Sequence, residues 1–269
     1  MIEYNPYMDM NTFNLEQGTD EWLKARSGCI TASCAHVILM QDKLAPMPDN
    51  IIIEPTDKRG VNRVVFDGTE FIGTKAACTD FVRKSLPPII PDMKDGYLDK
   101  LIGEVCTGEV PDSVPFKQAE WGHMNEELAR DSYEVMNMTT ITQAGLIYKD
   151  ESLRCAISPD GLDMDRKRGL EIKSPFTTQV HIATLRKGVI KPDYITQCQF
   201  AMWVTGWEEW DFCSYDNRMR GKPENRLFTL TQKRDNEYMD KFDENIPAFI
   251  KKMDEALKLL GFAFGDQWT

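Results

Sequence analysis

From Ser158 to Phe176 the chain reads S-P-D-G-L-D-M-D-R-K-R-G-L-E-I-K-S-P-F, and no other stretch limits the possible fold as much. It predicts two short strands joined by a charged turn, with Asp160 on the first and Glu171 and Lys173 on the second. Side chains alternate across a strand, so Glu171 and Lys173 project to one face and Leu170 and Ile172 to the other, towards a core. Pro159 and Gly161 bracket Asp160 in a tight turn that has to bring it alongside. Similar patterns occur on solvated hairpins. Here the apolar Leu170 and Ile172 predict a half-buried strand, where Asp, Glu and Lys together are costly unless they pair or bind a metal.

Hard cations such as Mg²⁺ take oxygen ligands and usually keep several waters. Asp160, Glu171 and a backbone carbonyl, with that of Ile172 as the candidate, would hold one and leave positions for a phosphate oxygen and a water. Lys173 would lower the pKa of that water and orient it for in-line attack, while the ion stabilises charge on the leaving oxygen. The pattern points to metal-dependent phosphodiester hydrolysis.

The chain of 269 residues can bury a large core and falls within the range of one elaborate domain. No apolar run approaches the roughly 18 residues that span a bilayer, and Met1 to Met10 lacks the basic and then apolar pattern of a signal peptide, so a cytoplasmic protein without membrane contact is expected. The seven cysteines are odd in number and scattered, which favours buried thiols over disulfides or a metal cluster. His36, His123 and His181 lack zinc-ligand spacing.

Thr19 to Arg26 predicts a short helix capped by Thr19 and stopped at Gly28, with a second helix starting near Thr31. Arg26 and Ser33 then lie at the end of one helix and the start of the next, where a guanidinium and backbone N–H groups can converge on an anion. The alternative is a solvated helix-end cation. Asn62 to Phe71 predicts a hairpin and Thr74 to Ser85 a helix, with Lys58, Arg59 and Arg63 read as solvated loop charges ahead of a DNA contact. Further helices are predicted over Asp95–Val105 and Trp121–Val135. In the second, Met124, Leu128 and Val135 fall near one face and Glu126 and Arg130 stand four apart on another.

Tyr194 to Val204 predicts a helix with Gln197 turned towards the site, followed by an aromatic strand from Glu208 to Tyr215. Arg166, Lys167 and Arg168 read as a solvated turn. Asn236 to Leu260 carries an apolar stripe at helical spacing, which Pro247 should kink or divide. Core packing is the preferred reading of that stripe, and the aromatic tail Phe262, Phe264 and Trp268 leaves an interface open.

Several collinear stretches resemble the YqaJ-like viral recombinase family of PD-(D/E)XK nucleases, the family of the phage lambda exonuclease. They include E-Q-G-T-D-E-W-L-K-A-R-S-G-C-I-T-A-S from Glu16, E-V-C-T-G from Glu104, I-Y-K-D-E-S-L-R-C-A-I-S-P-D-G-L from Ile147 and L-E-I-K-S-P-F-T from Leu170. Q-C-Q-F-A-M-W-V-T from Gln197 and F-D-E-N-I-P-A-F-I-K-K-M-D-E-A-L from Phe242 continue the match, with G-F-A-F-G-D-Q-W after it. The resemblance implies an α/β fold with a restriction-endonuclease-like PD-(D/E)XK core, a mixed central sheet flanked by helices. It covers residues 1–269 as a single nuclease domain except for a family-atypical insertion at about 41–91.

For function, the resemblance implies a Mg²⁺-dependent, processive 5′→3′ exonuclease of double-stranded DNA. Such an enzyme releases 5′-mononucleotides and leaves a 3′ single strand for phage-type recombination by annealing. Two Mg²⁺ ions are implied, with Mn²⁺ as a substitute, together with a homotrimeric ring on DNA ends bearing a 5′-phosphate, a single-strand annealing partner and a phage or prophage origin in a bacterial host. Asp160, Glu171, Lys173, Glu126 and Gln197 match the catalytic positions, and Asp160, Glu171 and Ile172 the metal ligands. Arg26, Ser33 and Ser158 match the grip on the 5′-phosphate. The strand-splitting wedge falls at Ala119, a departure from the family's larger apolar residue.

A formal charge of −11 is unusual for a DNA enzyme, since phosphate affinity comes from Lys and Arg. The ring accommodates it, because an acidic exterior around a basic channel directs DNA inward. A PD-(D/E)XK endonuclease, a non-catalytic DNA-end clamp and a structural protein are the alternatives.

Overall fold

In a computed structural model, which describes residues 11–111 and 117–269, the chain divides into two compact units, Met40–Gly96 and the remainder. Met1 to Met10 and the side chain of Ala119 lie outside the described residues.

The larger unit starts with α1 (Asp20–Arg26), whose first turn is capped by Thr19: its hydroxyl accepts the N–H of Trp22 at 3.3 Å. Ile30 and Thr31 then form β1, and Ala32–Cys34 a 3₁₀ turn that runs into the one-turn α2 (Ala35–Ile38). The helix expected from Thr31 is thus displaced. Residues 30 and 31 pair instead with Cys155 and Ala156, a tertiary contact that local propensity cannot report.

The smaller unit holds β2 (Glu54–Pro55), β3 (Asn62–Phe66) and β4 (Thr69–Gly73) in one antiparallel sheet, covered by α3 (Lys75–Ser85). Its core joins Val64, Cys78 and Val82, with Phe71 stacked on Phe81 at 4.9 Å. The expected hairpin and helix are both present. Arg63 pairs with Glu54 and Glu70 inside this sheet.

Beyond it come α4 (Asp92–Thr107), α5 (Lys117–Asn137), β5 (Ile147–Tyr148), β6 (Cys155–Ile157), β7 (Gly161–Asp163) and β8 (Arg168–Lys173). Helices α6 (Thr178–Lys187) and α7 (Pro192–Thr205) lead to β9 (Glu209–Tyr215), β10 (Leu227–Lys233) and α8 (Asn236–Leu260). The main sheet has the order β10-β9-β8-β7, with β8 parallel to β9 and antiparallel to β7. A second sheet, β1-β6-β5, is also mixed. Strand β8 is therefore central, and Gly169 to Ile172 are buried on both faces, where the sequence predicted a half-buried strand.

Helix α5 packs on β8, β9 and β10, but not through the expected stripe. Met124, Leu128 and Val135 are 75%, 44% and 79% exposed, and the buried face is Asn125, Ala129 and Tyr133. The small Ala129 admits close approach to the sheet, and the Tyr133 hydroxyl donates to buried Asp211 at 2.6 Å. Arg168, expected in a solvated turn, pairs from β8 with Glu209 and Asp211. Helix α7 is buried nearly all round between β9, α8, β6 and α2.

Helix α8 runs unbroken for 25 residues through Pro247, so the proline does not divide it. Its stripe, from Met239 through Phe242 and Phe249 to Leu257, is core, as expected. The aromatic tail folds back: Phe264 and Trp268 pack against Cys29, Leu146, Tyr148 and Ala156, and the Trp268 indole donates to the Lys24 carbonyl at 2.8 Å. All seven cysteines are free thiols. Among the described residues, no helix is long and apolar enough to cross a membrane.

Candidate active site

Strands β7 and β8 pair with Gly161 opposite Leu170, so the ladder continues to place Asp160 opposite Glu171. Gly161 is needed here because a Cβ would lie 2.4 Å from Ile141 Cγ2, which braces this end of the strand. The N–H of Ile172 donates to Oδ2 of Asp160 at 2.5 Å. Lys173 forms an ion pair with Oε1 of Glu171. From α5, Arg130 donates to Glu126 at 2.5 Å and to the Asp160 carbonyl at 3.0 Å, tying that helix to the β7–β8 hairpin. Asp160, Glu171 and Lys173 of one hairpin and Glu126, 34 positions before Asp160, thus meet at one end of the central sheet.

The electrostatics are strained in a particular direction. Burial first, and then the adjacent Glu171 carboxylate, push the Asp160 carboxyl well above its ordinary value, with Glu126 adding to the effect and Lys173 opposing it. Desolvation would pull the Lys173 ammonium down, but Glu171 and Asp160 outweigh it and raise its pKa. With Lys173 paired to Glu171 and Arg130 to Glu126, the Asp160 carboxylate is left, among the described residues, without a cation of its own, the condition that a divalent cation relieves.

Among the described residues no three His, Cys, Asp or Glu side chains are grouped to hold a metal by themselves. The fit rests on the donor types: two carboxylates, Asp160 and Glu171, with the carbonyl of Ile172 between Glu171 and Lys173. That set suits an oxygen-seeking ion that keeps several waters.

Two cavities meet at these groups. One, of about 360 Å³, is lined by Glu126, Asp160, Ile172 and Lys173 and extends past Tyr194 and Phe212. The other, of about 640 Å³, shares Glu126 and Asp160 and extends past Gln17, His123 and Arg130. Gln197 is half-buried on α7, one helical turn after Tyr194, and lines neither.

The expected phosphate residues are partly gathered. The guanidinium of Arg26 lies 4.7 Å from the ring centre of Trp22, whose indole donates to the Ser158 hydroxyl at 3.1 Å. Ser33 sits in the exposed 3₁₀ turn, its hydroxyl 3.4 Å from that of Thr31. Buried Glu104 fixes the loop between Arg26 and Ser33 by accepting the N–H of Gly28 at 2.8 Å.

Sequence reasoning missed Trp22, Glu104 and Tyr194 as parts of this arrangement. Tyr194 stacks on Phe212 at 5.5 Å, with the Lys173 ammonium 5.4 Å from its ring centre. The i, i+4 spacing of Trp22 and Arg26 could have announced their contact; the bonds from Trp22 to Ser158 and from Gly28 to Glu104 and the stack of Tyr194 on Phe212 join separate segments, which no spacing pattern reports. The Glu126–Arg130 pair was visible as i, i+4 spacing; its second bond, to Asp160, was not.

The model of the YqaJ-like viral recombinase domain matches residues 21–208. ExoD, an uncharacterized protein of Escherichia coli (strain K12), is 47% identical over 79 residues, which are 29% of this chain and 87% of that protein. The alkaline exonuclease LHK-Exo from Laribacter hongkongensis superimposes with a TM-score of 0.65 at 25% identity, covering 90% of this chain and 96% of that one. Its complex with dAMP gives 0.66 at 24% identity over the same shares. A phage related exonuclease from Haemophilus somnus 129PT gives 0.52 at 16% identity, covering 86% and 96%. These likenesses and the mixed sheet flanked by helices define a restriction-endonuclease-like PD-(D/E)XK core. With the family model spanning well over half of its length, the chain belongs to the YqaJ-like viral recombinase family.

Proposed function

We propose that this protein is a metal-dependent 5′→3′ exonuclease of double-stranded DNA that releases 5′-mononucleotides and leaves a 3′ single strand for recombination by annealing. The observation that carries the reading is the meeting of Asp160, the Glu171–Lys173 pair and Glu126 where two cavities join. The family and the resemblance in fold to LHK-Exo support it, and the dAMP bound by that enzyme is the kind of product expected here.

In this reading Asp160, Glu171 and the Ile172 carbonyl would hold Mg²⁺, as one of two ions, and Mn²⁺ would substitute. Bound there, the metal supplies Lewis-acid stabilisation of charge developing on the phosphate and leaving oxygens. Lys173 orients the attacking water and offsets negative charge in the transition state. Glu126, kept in place by Arg130, would help to order the water shell of the metal site. The family resemblance gives Gln197 a hydrogen bond to a catalytic water or to the scissile phosphate, and Arg26, Ser33 and Ser158 the grip on the terminal 5′-phosphate.

A homotrimeric ring around the duplex accounts for processivity and for the tolerance of a net charge of −11. An annealing protein that receives the 3′ strand and a phage or prophage origin in a bacterial cytoplasm complete the reading. Digestion of linear, 5′-phosphorylated duplex with Mg²⁺ tests it, with covalently closed circular duplex as the control. Mononucleotides from the linear DNA alone are expected. Cutting of the circle would make the protein an endonuclease, and end binding without nucleotide release would make it a clamp.

A further inference from the structure

The segment that follows α8 ends against two backbone carbonyls that flank Arg26. We infer that Gln267 and Trp268 are positioning residues for the phosphate grip: they fix the end of α1 and so set the direction in which Arg26 is presented. This inference rests on the reading of Arg26 as a contact of the terminal 5′-phosphate.

A helix leaves its last carbonyls without full partners of its own, and one of seven residues is too short to hold its shape alone in water. At the end of α1 the Lys24 carbonyl, which accepts the Ser27 N–H at 3.2 Å, also accepts the Trp268 indole N–H at 2.8 Å. The Ala25 carbonyl accepts the Tyr148 hydroxyl at 2.5 Å, and the Ser27 carbonyl accepts the Gln267 amide at 3.1 Å. The backbone on both sides of Arg26 is thus held by side chains more than 100 positions away.

The Gln267 amide is fixed at both ends, because its oxygen accepts the Gly265 N–H at 2.8 Å. Gln267 is buried, and an amide is costly to desolvate unless it is bonded. Packing alone would be served by the rings of Phe264 and Trp268. From the other side of the same loop, Glu104 of α4 accepts the Gly28 N–H. A Cβ at Gly28, which has a φ of +73°, would lie 2.7 Å from Val105 Cγ2 and 3.2 Å from Gln267 Nε2, so α4 and the tail close on the loop together.

The tail is itself braced. The Phe262 N–H returns to the Leu257 carbonyl of α8 at 2.9 Å, and Asp266 accepts the Ala263 N–H at 2.7 Å. The Arg154 guanidinium lies 3.8 Å from the ring centre of Phe264 while it pairs with Asp254 of α8. Trp22 and Ala25 of α1 pack against the same buried cluster as Phe264 and Trp268. Among the described residues no carboxylate pairs with Arg26, whose guanidinium rests on Trp22 and is free to take an anion. A guanidinium selects a phosphate by geometry as well as by charge, so a shift of its backbone weakens the selection.

The test is equilibrium binding of the whole chain, with Ca²⁺, to a hairpin duplex whose single open end carries a 5′-phosphate or a 5′-hydroxyl. Trp268→Phe keeps the ring and removes the indole N–H; Gln267→Met keeps the length and removes the amide. Each should lower the preference for the phosphate by roughly 10-fold, the upper range for one hydrogen bond. Damage to the fold in general weakens binding to both ends alike, and a preference unchanged in both variants would overturn the inference. Because the tail acts through Arg26, adding Trp268→Phe to Arg26→Ala should lower the preference no further than Arg26→Ala does, and additive losses would overturn it as well. A wild type without the preference sinks the phosphate grip and the tail's role with it, whereas a preference that both tail variants keep sinks the tail's role alone. Digestion of linear duplex is read separately: no nucleotide release would sink the nuclease reading, while the preference still decides the role of the tail.

Discussion

The backbone N–H of Ile172 donates to the Asp160 carboxylate at 2.5 Å, so the strand that carries Glu171 and Lys173 itself holds the first acidic group in register. One backbone bond thereby couples the fold of the hairpin to the geometry of the chemistry. Several consequences can be measured.

Lys173→Ala removes the cation that pairs with Glu171 and that, in the proposed mechanism, orients the attacking water. The rate of nucleotide release should fall by roughly 10²-fold or more, while binding to DNA ends persists. Near-normal turnover would eliminate Lys173 from the chemistry.

Asp160→Asn and Glu171→Gln each remove a carboxylate from the proposed metal site. Activity should disappear, and Mg²⁺ titration by calorimetry should show weaker binding, with Ca²⁺ supporting end binding but little cleavage. Wild-type activity in excess chelator would contradict the metal assignment.

Arg26→Ala should slow digestion of 5′-phosphorylated ends far more than of 5′-hydroxyl ends, because a guanidinium discriminates a terminal monoester by its extra charge. Competition between the two substrates measures it. If the variant keeps the full preference, the phosphate is bound elsewhere.

Arg218→Ala breaks the bonds from the guanidinium to buried Asp216 and to the segment after Lys173. A loss of about 1–3 kcal/mol at neutral pH is expected from urea denaturation. Burial raises the Asp216 pKa, but hydrogen bonds from Arg218 and Thr178 and the charge of Arg218 outweigh it and hold the carboxyl below its ordinary 3.8. A depressed pKa stabilises the fold above the unfolded value and loses that contribution as pH falls through the folded one. The gap between variant and wild type should therefore be full at neutral pH and narrow below about 3.8.

Val135→Lys should change stability by less than about 0.5 kcal/mol, because that side chain is 79% exposed. Tyr133→Ala, two residues earlier on the buried face, should cost about 3–5 kcal/mol. A large effect of Val135→Lys on oligomer mass, with little effect on monomer stability, would identify the exposed stripe as an interface.

The sequence by itself determined the elements whose signals are local. Alternation in G-L-E-I-K set which side chains share a face, Thr19 capped α1, and the stripe from Phe242 to Leu257 marked α8, because period and capping act within a few residues. Only the tertiary structure decided the rest. The 4-residue α2 yields to the pairing of Ile30 and Thr31 with β6, and α5 buries Ala129 and Tyr133 rather than Met124 and Val135 because the sheet opposite admits a small residue and offers Asp211 to a hydroxyl. Likewise β8 becomes central and fully covered, which is what desolvates Asp160 and raises its pKa. The bonds from Arg130 to Asp160, from Trp22 to Ser158 and from Glu104 to Gly28 each join residues at least 30 positions apart. No periodicity carries information over such distances, because these contacts exist only once the sheet has brought the segments together.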